Sequence, residues 1–374
     1  MTPRPATAAE AGVWFMEQLG GTGHAYTLGL AVSFGSGLDV DALLPACRAV
    51  LDRHPVLRGA FEDRDGLPWL VPARVRPEVR RVERVSVAEE MARGFAVDTG
   101  PLCRFTVAAA PGERPLLVVT AHHSVFDGHS KDVLLRDLAA FYRGESLAPL
   151  AAPEPRRSSP AAAREFWRSR PHRPAEFAAV PGEEVAGALT RGASARLDAV
   201  AEDLGVTRFE FLLSVFRFVA GGLGDTSIAL STRTPGESDH IGLFVNVLPF
   251  PCAVPHDVPV VDQVRAVRRD LRVLYPFRST PLGAAVPGVR PSSAPTAISM
   301  SYRRRTEPPR FADSRVDWTT STGIARNLLH LTVVDGPTTS LKVLHPRGTR
   351  APVEEFTGVL RDAIGLTSTE PLWT

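Results

Sequence analysis

The chain has 374 residues, 44% of them hydrophobic and 22% charged, with a formal net charge of +2. That length exceeds one small core and fits one large domain or two lobes, and the apolar content excludes a disordered chain. The near-neutral balance gives no electrostatic case for nucleic acid, and apolar runs such as Leu116 to Ala121 break far short of a membrane span.

Taken in chain order, Ala9 to Leu19 reads as a short helix with Trp14 and Leu19 among its apolar positions. Leu38 to His54 is a clearer helix, capped by Asp39 or Asp41, with Leu43, Leu44, Cys47, Val50 and Leu51 on one face. Phe105 to Ala109 and Leu116 to Ala121 read as a hairpin turning at Pro111-Gly112-Glu113-Arg114, followed by a helix from Ser130 to Tyr142. Residues 143 to 195 are rich in proline and alanine, with Ser158 and Ser159, and read as a crossover holding one short helix near Ala161 to Trp167.

The second half resumes with a helix at Arg208 to Ala220 and strands at Ser227 to Ser231, Ile241 to Pro249 and Thr296 to Tyr302. A hairpin, Leu328 to Val334 and Thr339 to Leu344, turns at Asp335-Gly336, and a last helix covers Val353 to Ile364. Helices and strands alternate in both halves, which predicts an α/β fold of two lobes: 1–155, a linker at 156–195, and 196–374.

Met1 to Gln18 lacks a charged-then-apolar secretory pattern, so a cytoplasmic protein is expected. Cys47, Cys103 and Cys252 have no metal or redox spacing and are expected as buried apolar residues. The arginine clusters Arg80-Arg81, Arg156-Arg157 and Arg303 to Arg305 read as solvated surface or as a patch for an acidic partner.

The segment that carries chemistry is Ala121-His122-His123-Ser124-Val125-Phe126-Asp127-Gly128-His129-Ser130, placed between a strand and a helix. A histidine titrates near neutrality and is able to take a proton from an attacking amine or alcohol. Asp127 is placed to organise the loop by pairing with an arginine, and Gly128 leaves space beside the imidazole. His122, His123, Asp127 and His129 are all metal ligands by type, but adjacent histidines at a strand end point to opposite sides, so no metal is expected.

This motif resembles the signature of the condensation domains of non-ribosomal peptide synthetases, within the superfamily that includes chloramphenicol acetyltransferase. The resemblance continues through Thr7 to Phe15, Arg53-His54-Pro55-Val56-Leu57-Arg58, Phe95 to Arg104 with Gly100-Pro101-Leu102, Ile241 to Leu248, and Tyr275-Pro276-Phe277. Glu10 and Gly12 stand where the family usually has Gln and Arg, and the motif expected at Pro291 to Met300 is barely recognisable.

The resemblance implies two chloramphenicol acetyltransferase-like lobes in a V shape with an active-site tunnel between them. It implies His123 as the catalytic residue, supported by His122, Gly128 and Ser130, with Asp127 in a structural pair whose partner is Arg58 or Arg233. Asn246 would lie on the tunnel wall, or hydrogen-bond locally at a strand end. The implied activity is a stand-alone acyltransferase forming an amide or ester from a carrier-bound acyl thioester and an amine or hydroxyl acceptor. It binds no cofactor tightly; an acyl- or peptidyl-carrier protein acting in trans supplies the phosphopantetheine. The alternatives are a non-catalytic docking protein that recruits partner enzymes, and a coenzyme A-dependent acyltransferase.

Overall fold

A computed structural model describes the chain apart from residues 21–22, 152–159, 171–178, 251, 287–295, 306, 310, 319–320, 337, 368–369 and 374. The first part runs β1 (Arg4–Pro5), α1 (Ala8–Leu19), β2 (Thr27–Ser33), α2 (Val40–Arg53), β3 (Gly59–Arg64), β4 (Leu67–Pro72), β5 (Val79–Val82), α3 (Val87–Ala92), β6 (Cys103–Ala108), β7 (Leu116–His122) and α4 (Gly128–Tyr142). Then follow α5 (Pro160–Arg168), β8 (Val180–Ala188), α6 (Arg191–Asp203), α7 (Arg208–Ala220), β9 (Thr226–Ser231), β10 (Val245–Pro249), α8 (Val260–Leu274) and α9 (Leu282–Ala285). The chain closes with β11 (Ile298–Arg304), β12 (Arg315–Asp317), β13 (Ile324–Ala325), β14 (Leu329–Asp335), β15 (Ser340–Pro346) and α10 (Val353–Ala363).

Two compact units result, both mixed α/β. The first gathers Met1–Pro155, Arg233–Val245 and Thr306–Thr322; the second gathers Arg156–Thr232, Asn246–Arg305 and Gly323–Thr374. The first unit holds a five-stranded sheet in the order β12-β2-β7-β6-β5 and a small sheet β1-β4-β3. On one face of the larger sheet Leu30, Val32, Phe105, Val107, Leu117, Val119 and Ala121 pack against Leu43, Cys47, Val50 and Leu51 of α2 and Val133, Leu134 and Leu138 of α4. The period of two along the strands meets the helical stripes here, and burial of these side chains contributes the main stabilisation.

The second unit is built on a seven-stranded sheet, β10-β9-β11-β14-β15-β8-β13. Strands β9, β11 and β14 run parallel, while β14, β15 and β8 pair antiparallel. Ile228, Ile298, Leu331 and Val333 pack with Phe211, Leu212, Val215 and Phe216 of α7, Val264, Val267 and Leu271 of α8, and Phe356 and Leu360 of α10.

Several expectations need correcting. The second lobe is not contiguous: residues 233–245 and 306–322 belong to the first unit, because β12 pairs with β2 and Phe311 packs on Phe34, at 5.4 Å between ring centroids. The expected linker 156–195 contains β8, which pairs with β15 from Gly182 to Ala188 and whose Pro, Gly and Glu content hides the strand. Gly182 sits close to its neighbours there: a Cβ would stand 3.1 Å from the Ala325 nitrogen and 3.2 Å from the His345 carbonyl oxygen, and the Leu344 side chain would have to shift.

The strand expected at Ile241 to Pro249 begins only at Val245. Leu19 is 64% exposed rather than part of the apolar face of α1. Asp39, not Asp41, caps α2, accepting from Ala42 N–H at 3.0 Å. Arg156-Arg157, Ser158, Ser159 and residues 291–295 of the late motif lie outside the described residues.

Candidate active site

The motif sits where β7 ends and α4 begins, within the first unit. A single 3₁₀ turn at His123–Val125 separates the two elements, and its hydrogen bonds fix both imidazoles. The His123 N–H donates to the Tyr26 carbonyl at 2.8 Å. The His123 ring stands with Nδ1 2.7 Å from the Phe126 carbonyl oxygen. A carbonyl only accepts, so Nδ1 carries the proton and Nε2 is the basic nitrogen of the neutral ring.

His122 differs. It is buried, with Nδ1 2.7 Å from Ser124 Oγ and Nε2 3.3 Å from Glu17 Oε1. The Ser124 backbone N–H also points at Nδ1, which makes Nε2 the donor to Glu17. His123 is only half-buried. The two neighbours therefore differ: the His122 ring is tied into packing through both nitrogens, and the less buried His123 ring is oriented by the Phe126 carbonyl at Nδ1.

Asp127 is the N-cap of α4 and is 1% exposed. Its Oδ1 accepts from Ser130 N–H at 2.8 Å, and its Oδ2 from Phe244 N–H at 3.0 Å. Of the two candidate arginines, Arg233 faces it: Nη2 lies 3.0 Å from Oδ1 and 3.2 Å from Oδ2. The Nη1 of Arg233 donates to the Glu237 and His240 carbonyls, each at 2.8 Å, and its guanidinium lies 4.0 Å over the Phe244 ring. Arg58 instead pairs with the exposed Asp52 at 3.0 Å.

Ser130 completes the network, accepting from Gly242 N–H at 3.1 Å with its hydroxyl 2.8 Å from Asp127 Oδ1. These contacts explain why Ile241 to Phe244 is not a strand: the Gly242 and Phe244 amides are held by the motif. Gly128 opens α4 at its first helical position.

Asn246 belongs to the second unit, where Nδ2 donates to the Arg278 carbonyl at 2.9 Å and the Thr280 carbonyl at 3.0 Å. His129 donates from Nε2 to the Ser238 carbonyl at 3.0 Å. Among the described residues no group of three or more His, Cys, Asp or Glu side chains is placed to hold a metal ion. Cys47 and Cys103 are buried, and burial pushes both thiols up, Cys47 to about 12. No helix among the described residues is long and apolar enough to cross a membrane. A cavity of about 600 Å³ in the second unit, lined by Phe166, Arg217, Phe250 and Asp270 among others, contains none of the motif residues.

Residues that the spacing alone does not reveal also matter. His54 and Asp137 are buried, with His54 Nε2 2.8 Å from Asp137 Oδ2 and Arg53 Nε donating to the same oxygen at 2.8 Å. This pairing gives the Arg53-His54-Pro55 motif its structural reason: it fastens the end of α2 to α4, the helix that Asp127 caps. Gly100 has φ +60°, and a Cβ there would stand 2.4 Å from the Gly59 carbonyl, which accounts for the glycine of Gly100-Pro101-Leu102.

Comparison with known proteins follows the same lines. The family model described as Condensation domain matches residues 3–290. Phosphinothricin tripeptide synthetase PhsB of Streptomyces viridochromogenes is 26% identical over 339 residues, which is 78% of this chain and 28% of that protein. The chain thus spans well under a third of that relative's length. The condensation domain from the Monacolin K polyketide synthase MokA superposes with a TM-score of 0.81 at 16% identity, covering 98% of each chain. The first condensation domain of the CDA synthetase gives 0.76 at 17% identity, covering 100% of this chain and 99% of that one.

Proposed function

The chain belongs to the condensation-domain family, and from that premise we propose that it is an acyltransferase in which His123 handles the proton of the acceptor. Condensation domains of non-ribosomal peptide synthetases generally form amide bonds between groups held on carrier-protein domains. The observation that carries the reading for this chain is the contact of His123 Nδ1–H with the Phe126 carbonyl, which leaves Nε2 as the proton acceptor.

The donor is a carrier-bound acyl thioester, its phosphopantetheine arm arriving as part of the substrate. The acceptor nitrogen attacks the thioester carbonyl carbon, and Nε2 removes the proton that the new bond makes acidic. The carbon–sulfur bond then breaks, and the imidazolium returns its proton to the departing thiolate. An amide and a carrier thiol result. A hydroxyl acceptor would give an ester by the same sequence, with proton removal needed at the moment of attack.

The carrier acts in trans in this reading, and no resident cofactor takes part. The test is His123→Ala, followed by intact-mass spectrometry of an acyl-loaded carrier incubated with amine acceptors. Turnover is expected to fall by about 10²–10⁴-fold, with the melting temperature retained. Near-wild-type turnover in the folded variant would remove His123 from the chemistry.

A further inference from the structure

One carboxylate beside the motif takes no part in the Asp127 network. Glu17 lies on α1, which packs against the 3₁₀ turn at His123–Val125. Its Oε1 is 3.3 Å from His122 Nε2. The His122 ring is buried, with the rings of Tyr26 and Phe95 beside it at centroid distances of 6.0 Å and 6.1 Å.

The other nitrogen of that ring shows what Glu17 does. The Ser124 backbone N–H only donates, and it meets Nδ1 at 3.4 Å, with the Ser124 hydroxyl 2.7 Å from the same nitrogen. Nδ1 therefore accepts, and in the neutral ring the proton sits on Nε2. A buried N–H needs an acceptor, and among the described residues Nε2 meets Glu17 Oε1 and no other. Without that oxygen the opposite tautomer becomes favoured. Its Nδ1–H would still find the Ser124 hydroxyl, but the Ser124 N–H would lose its acceptor and face a second donor.

The turn so capped is the one that carries His123. It closes with the Phe126 N–H on the His123 carbonyl at 3.3 Å, and the Phe126 carbonyl orients the His123 ring at 2.7 Å. A shift in the turn moves that imidazole directly, and a misplacement of about 1 Å costs about 10²-fold in rate.

We propose that Glu17 is a positioning residue: it fixes the His122 tautomer, His122 caps the turn, and the turn sets the His123 ring. The proposal rests on the reading of His123 as the proton-handling group. Glu17 acts in it as a hydrogen-bond acceptor, so its oxygen matters and its charge does not.

The experiment compares Glu17→Gln, Glu17→Leu and His123→Ala with the wild type, each as the full chain. Gln keeps a carbonyl oxygen for Nε2–H, and the Ser124 N–H favours the amide orientation that presents it. Leu has a similar volume and no acceptor. The readouts are kcat and KM for an amine acceptor with an acyl-loaded carrier, melting temperature, and imidazole nitrogen chemical shifts in isotope-labelled protein. His122→Asn assigns the His122 signals. Wild type and Glu17→Gln should show His122 protonated on Nε2 and turn over within about threefold of each other. In Glu17→Leu the signals should move toward a protonated Nδ1, and kcat should fall by about tenfold to 10²-fold with KM unchanged. Wild-type kcat or an unaltered His122 tautomer in the folded leucine variant would overturn the assignment. So would a glutamine variant as impaired as the leucine one, since the charge would then be the essential property. If the leucine variant does not fold, the wild-type spectrum still decides: His122 protonated on Nδ1 removes Glu17 from this role. Turnover by His123→Ala would withdraw the reading of His123 and with it the last link of the proposal. An inactive His123→Ala beside a fully active Glu17→Leu would withdraw Glu17 alone.

Discussion

At the residue scale, the work is divided between a proton-handling side chain and the carboxylate that builds its loop. Asp127 never approaches a reacting atom by its contacts; it caps α4, holds the Phe244 amide and meets Arg233. The pair is almost fully enclosed, with side chains 1% and 10% exposed. Removing one member of such a pair leaves the other charge uncompensated, at a cost of about 3–5 kcal/mol. Asp127→Ala should therefore lower the denaturation midpoint. The double variant Asp127→Ala/Arg233→Met should recover part of the loss, because no orphaned cation remains. An Asp127→Ala protein with unchanged stability and greatly reduced turnover would place Asp127 in the chemistry instead. The His-His-x-x-x-Asp-Gly spacing made the loop legible from the sequence. The choice of Arg233 over Arg58 was not legible, because a contact across 106 positions leaves no trace in local spacing.

At the element scale, two histidines make the fold sensitive to acid. Burial holds the His54 pKa below its ordinary value, against the pull of Asp137, so the ring stays neutral and donates Nε2–H to that carboxylate. Asp137 titrates below the usual carboxylate range: burial opposes its ionisation, but the hydrogen bond from His54 and the charge of Arg136 prevail. On β14, His330 lies between Ser299 Oγ, 2.6 Å from Nδ1, and Ser301 Oγ, 3.2 Å from Nε2. Desolvation, then Lys342 and Arg326, push its pKa down from 6.5 to about 4. Between those values the unfolded chain binds more protons at this position than the folded chain. Stability is therefore fully present above the upper value and declines as pH falls through the window. His330→Gln should flatten that decline relative to wild type in denaturation midpoints measured across the window; identical slopes would show that His330 does not contribute. Element by element, the sequence was uneven as a guide. Helix α7 was legible from its apolar stripe. Helix α8 carried as clear a stripe, Val260, Val264, Val267, Leu271 and Leu274, and was missed. So was the β3–β4 hairpin, although Asp65-Gly66 with φ of 56° and 80° is a strong turn signal. Strand β8 was hidden for a physical reason: its pairing comes from the backbone of β15, and its exposed side chains show no alternation.

At the scale of the whole molecule, the order of motifs along the chain identified the family, whereas the order of segments did not divide the chain into its two units. Arg233–Val245 and Thr306–Thr322 return to the first unit, and the first of them completes the candidate site. Condensation domains work with carrier proteins, and recognition of a carrier surface is the remaining property on which the proposed function depends. By sequence the Arg80-Arg81 cluster suits that role, but the structure shows Arg80 in contact with Glu90 and Arg81 with Asp41 at 3.5 Å. A cation already matched by a neighbouring acid offers little net field to an acidic partner, and an exposed pair of this kind contributes little stability. Arg81→Ala should therefore change carrier use by no more than about twofold. The carrier itself should still matter. Rates with one acyl group presented on a carrier protein, on coenzyme A and on a short pantetheine should rank the carrier first. Raising the salt should narrow the gap, because exposed charges are screened over about 8 Å at physiological ionic strength. Equal rates for the three donors at every salt concentration would mean that no carrier surface is read. The chain would then act as a coenzyme A-dependent acyltransferase, with the His123 chemistry intact and the carrier assignment withdrawn.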